Sequence, residues 1–198
     1  MPKHPTLILA PLLVMTACGS RDENPQAPPT TVADEQAAST STVATDASGA
    51  ARGAATPLTG QAFADAIGAS DRFELESARA VQSANPEGTT RSFAQMMIRD
   101  HQKSSDELRK TTSQVDKVTL DETPAMTAEQ QAQLAELKAA APQQMPAIYA
   151  RQQVAAHEKA LAMLQTYAQS GDAKPLMDFA GKTAQVVSHH LEEARRLP

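Results

Sequence analysis

From residue 60 onward, apolar side chains recur at alternating spacings of three and four, the mark of helices with one buried face. The first such run, about 60–84, puts Phe63, Ile67, Ser70, Glu74, Ala78 and Val81 on one stripe, with Thr59 placed to cap it. Asn85-Pro86 ends the run, and Pro86 can open the next helix because a first turn has no amide to lose. That second helix, to about 114, carries Phe93, Met97, Asp100, Ser104, Leu108, Thr111 and Val115. A link rich in Asp, Thr and Pro follows. Thr127-Ala-Glu-Gln130 then reads as a capping box for a short helix ending near 141, and Pro142 and Pro146 bracket a break.

The third long helix, about 147–169, aligns Ala150, Val154, His157, Leu161, Leu164 and Ala168, and Gly171 suits a left-handed cap after it. The fourth, about 175–196, aligns Leu176, Ala180, Thr183, Val187, His190, Ala194 and Leu197. Arg195 and Arg196 fall in its last turn, where cations complement the helix dipole. No strand pattern accompanies these runs. Short loops within each helix pair and a longer link between pairs predict an all-α four-helix bundle over 58–198, with a short extra helix in the link.

Composition supports helices over sheet: there is no Trp, and only two Tyr and four Phe. A net charge of −5 without a basic block offers nucleic acid little to hold. The one cysteine, Cys18, rules out an intrachain disulfide and is informative by position. Lys3, an apolar run from Leu7 to Met15, and the small pair Thr16-Ala17 precede it, the layout of a secretory signal too short to span a membrane. Residues 1–18 resemble a bacterial lipoprotein signal in which the cysteine is lipidated, with Met15 standing where such signals usually carry Leu. Gly19, in place of an inner-membrane-retaining Asp, implies delivery to the outer membrane, facing the periplasm. The alternative is an ordinary signal peptide and a soluble periplasmic protein. Residues 19–57, mostly Ala, Thr, Ser, Pro and Gln, are expected to form a disordered tether with a reach of roughly 35 Å.

The chemistry lies in an oddity of the stripes. Glu74, Asp100, His157 and His190 each interrupt the apolar face of a different helix, and His101 flanks Asp100 at its edge. Charged groups are rarely buried unless paired or bound to metal, so four such residues from four helices point to a shared interior site. Imidazole and carboxylate together suit one divalent transition metal, Zn, Fe, Mn, Ni or Cu. The competing explanation is an internal salt-bridge and hydrogen-bond network that fixes helix register without a ligand. No Gly-rich phosphate loop, HExxH, CxxC or nucleophile-elbow serine is present, which leaves conventional hydrolase and nucleotide enzymes without support.

At these residues the chain resembles a bacterial family of exported ferritin-like proteins, domain of unknown function family 4142, often labelled predicted outer membrane protein. The resemblance covers about 59–197. It rests on FELESARA with Glu74, SFAQMMIRDHQKSSDEL with Asp100 and His101, YARQQVAAHEKAL with Tyr149 and His157, and SHHLEEARRL with His190. It implies a ferritin-like bundle and supplies no activity. Di-iron bundles use Glu-x-x-His, whereas Ile98, Val154 and Val187 stand three before His101, His157 and His190, so a ferroxidase-type dinuclear site is not expected. The expected protein is an exported, lipid-anchored envelope component with a metal site at Glu74, Asp100, His101, His157 and His190. The alternative is a non-catalytic structural or interaction module of the envelope, binding another protein or a cell-wall component, whose buried polar residues only fix helix packing.

Overall fold

The structure, a computed structural model, describes residues 58–198. The signal, Cys18 and tether expected from the sequence lie outside these residues. Five helices make up the described part: α1 (Gly60–Ser83), α2 (Gly88–Thr112), α3 (Ala128–Ala139), α4 (Met145–Ser170) and α5 (Lys174–Ala194). No strand occurs among the described residues, so the all-α expectation holds.

Local chemistry sets most boundaries. Thr59 Oγ1 accepts the amide of Ala62, and the Thr127 capping box forms with both of its bonds to Gln130. Four junctions depart from expectation. Pro86 does not open α2; Asn85 and Gly88 both take left-handed backbone, and the helix begins only at Gly88. Pro146 does not break α4 but sits in its first turn, where its missing amide costs nothing. Gly171 is extended (φ −66°, ψ 159°), its amide donating to the Tyr167 carbonyl, so no left-handed cap is made. Arg195 and Arg196 fall just past α5, where they pair with Glu158 and Glu193.

The four long helices close a ring in which α1 packs on α2 and α4, and α5 packs on α2 and α4; α3 leans on α1 and α4. Two apolar layers fill it. One joins Phe63, Ile67, Leu108, Leu164, Leu176 and Val187, and the other joins Val81, Phe93, Met97, Met145, Tyr149 and Ala194. Along α1 and α5 the first layer precedes the second, and along α2 and α4 the order reverses. Neighbours in the ring therefore run antiparallel, and the link from α2 to α4 must travel the length of the bundle. Between the layers every long helix contributes buried polar residues: Asp71 and Glu74 from α1, His101 from α2, Gln153 and His157 from α4, His190 from α5.

Gly68 shows how tightly that link is held. A Cβ there would lie 2.9 Å from Pro124 Cγ and 3.0 Å from Leu120 Cδ1. Gly68→Val should therefore destabilise the domain by about 1–3 kcal/mol, the usual cost of overpacking, as read by urea denaturation.

Candidate metal centre

The polar layer is a cluster of three imidazoles. The rings of His101, His157 and His190 stand 5.5–5.9 Å apart, centroid to centroid, and each offers a nitrogen within 4.8 Å of the other two. All three side chains are buried.

Each imidazole has one nitrogen engaged and one without a partner. His101 Nδ1 lies 2.8 Å from Asp71 Oδ1, His157 Nδ1 lies 2.8 Å from its own helix's Gln153 carbonyl, and His190 Nε2 lies 3.1 Å from Asp100 Oδ2. The remaining nitrogens, His101 Nε2, His157 Nε2 and His190 Nδ1, are buried and make no hydrogen bond. A carbonyl acceptor requires N–H on His157 Nδ1, which leaves a lone pair on Nε2. In its neutral form each ring has an acceptor behind and a lone pair in front, and such an arrangement around a small space is the usual construction of a histidine metal site. A cavity of about 30 Å³ opens beside the rings, roughly twice what one water molecule needs.

The electrostatics favour neutral rings at two positions. Burial, and then the charge of His101 and His190, lowers His157 to about 3; burial and then His101 lowers His190 to about 4, with Asp100 opposing. His101 moves the other way: burial works against its charged form, but the bond and charge of Asp71 outweigh it. Burial raises Glu74 to about 7, against the pull of His101 and the Gln153 hydrogen bond. Asp100 resists burial through Arg99 and His190 and stays below the ordinary carboxylate range.

Of the five residues expected from the sequence, the structure brings three together as donors. Among the described residues the mutually close donor atoms are those of the histidines alone. Asp100 stands behind His190 and is also bound by Arg99 Nε at 2.9 Å. Glu74 Oε2 accepts from Gln153 Nε2 at 2.5 Å, and its Oε1 is 3.9 Å from His157 Nδ1, the nitrogen already turned to the carbonyl. The order on α2 is also reversed from expectation: His101 faces the core, and Asp100 sits at the edge with a quarter of its side chain exposed. Asp71 was not anticipated at all, although it lies four after Ile67 and three before Glu74 on one face. Gln153, four before His157, carried the same signal and was likewise missed.

The sequence model of the family described as Domain of unknown function (DUF4142) matches residues 44–197. Neither the curated proteins nor the solved structures compared with the chain include a match.

Glu74 gives the centre a measurable pH signature. Its folded value, about 7, lies above the ordinary 4.5, so the native state holds the extra proton between those limits. Stability tied to that proton is present below pH 4.5 and is lost as pH rises to 7. In metal-free protein, Glu74→Gln should therefore gain on wild type across that window by roughly 2–4 kcal/mol and then level off. Urea denaturation at pH 4.5, 6 and 8 measures it.

Proposed function

We propose that this chain, which belongs to the DUF4142 family, binds one divalent transition metal in the middle of its helical bundle. His101, His157 and His190 are the ligands, and Asp71 and Asp100 orient them from behind. The observation that carries this reading is that all three buried rings have their outer nitrogen engaged and their inner nitrogen without a partner. A purely structural network would be expected to use both nitrogens of each ring, because an orphaned buried polar atom costs about 1–3 kcal/mol. An all-imidazole donor set suits Zn, Cu, Fe and Ni better than Mn, which prefers oxygen. A single centre without Glu-x-x-His is not a ferroxidase pair.

The setting we propose is the one expected from the sequence. The protein is exported, carried on a lipid at Cys18 in the outer membrane, and its bundle stands off on the 19–57 tether. No helix of the described residues is long and apolar enough to cross a membrane, so attachment falls to the lipid in this reading. The bundle is ferritin-like in this proposal, its one full-length link between α2 and α4 matching the single crossover of such folds.

Metal analysis of the purified chain, with thermal shifts for each candidate ion, tests the reading. One equivalent of metal is expected, and His157→Ala/His190→Ala should abolish it. No bound metal and no thermal shift with any candidate ion would leave a module whose polar layer serves packing alone. Asp71→Asn should retain the fold and weaken metal affinity about 10–100-fold, the usual effect of removing a carboxylate behind a ligating histidine; titration against a chelator reads this.

A further inference from the structure

Three imidazoles do not complete the coordination of a mononuclear centre, which takes at least a fourth ligand. Among the described residues no carboxylate joins the histidine donors: Asp100 is engaged by Arg99 and His190, and Glu74 Oε2 by Gln153. The space in front of the rings, about 30 Å³, has room for only a few atoms. Its wall on the α2–α5 side includes Asp100, Ser104, Thr183 and Val186.

The same four residues also form the floor of an outer cleft of about 560 Å³ between α2 and α5. Lys103, Lys182 and His189 stand around that cleft. The carboxylates of Asp100 and Glu107 line the same cleft, Glu107 lying 3.9 Å from Lys103. In the shared wall, Ser104 Oγ is buried and makes no hydrogen bond, unlike Ser105 beside it, which bonds to the His101 carbonyl and to Asp71. A hydroxyl can donate to an anion, whereas the carboxylates nearby cannot when ionised.

We propose that the α2–α5 cleft admits a small anion, of hydroxide or azide size, to an open position on the metal, where Ser104 Oγ donates it a hydrogen bond. The inference rests on the metal reading above and adds a ligand class, an entry side and a positioning residue to it. The size limit comes from the inner cavity, and the preference for anions comes from the ion's own charge and the Ser104 donor, because Asp100 and Glu107 offset Lys103 and Lys182 in the cleft.

The test uses the full chain loaded with cobalt(II), whose visible bands report coordination. Azide should shift those bands saturably, and benzoate, too large for the cavity, should not. Ser104→Ala should bind cobalt as wild type does but hold azide about tenfold more weakly, the usual effect of losing one hydrogen bond to a charged group. A packing role for Ser104 would leave azide affinity unchanged, because its hydroxyl contacts no polar partner. Val186→Trp should slow azide binding, and an unchanged rate would overturn the cleft as the entrance. Cobalt bands indifferent to azide, benzoate as effective as azide, or Ser104→Ala with wild-type azide affinity would each overturn the proposal while leaving the metal site standing. Failure to take up cobalt at all would remove the metal reading and this proposal together.

Discussion

An imidazole has two nitrogens, and burying it obliges the fold to account for both. In this bundle the account is settled on one side only: Asp71, the Gln153 carbonyl and Asp100 each take the outer nitrogen of one ring. Those three bonds fix ring orientation and aim the remaining nitrogens at one another. Burial, and after it the charge of the neighbouring rings, keeps His157 and His190 neutral well below the ordinary histidine range. The arrangement is costly in isolation, and in the reading proposed above a cation at the centre would relieve it.

The surrounding structure explains how such a layer is tolerated. Apolar clusters lie to either side of it along the bundle axis, with Phe63 stacked on Tyr167 at 4.0 Å in one and Phe93 set edge-on to Tyr149 at 5.9 Å in the other. They carry the burial that stabilises the domain, and they leave the polar residues no lateral freedom. The side chains behind His101 and His190 come from the neighbouring helices α1 and α2. Asp71 reaches His101 across 30 residues and Asp100 reaches His190 across 90.

Helix count, the capping box at Thr127 and the two histidines on the stripes of α4 and α5 were legible because three-and-four periodicity survives a single polar interruption. The site itself was only partly legible. Consecutive helical residues differ by about 100° in direction, and a buried face can span that much. Asp100 and His101 were therefore ordered the wrong way round, an assignment that hydrophobic pattern alone cannot decide when neither neighbour is apolar. Asp71 escaped because Ser70, a small and plausible occupant, sat next to it on the assumed stripe. Gln153 escaped because an uncharged amide raises no alarm, although it links α4 to Glu74 on α1.

The antiparallel ring has a consequence for how the centre comes into being. Its three rings belong to α2, α4 and α5, and α1 supplies Asp71, so no helix hairpin contains it. Until the long link has carried the chain back and α5 has docked against α2, the histidines are merely side chains on separate amphipathic rods. Helical content and the pocket are thus separable properties: a loosened state could keep every helix and still have nowhere for an ion to sit. In the proposed metal reading, occupancy would then report on the closure of the whole bundle.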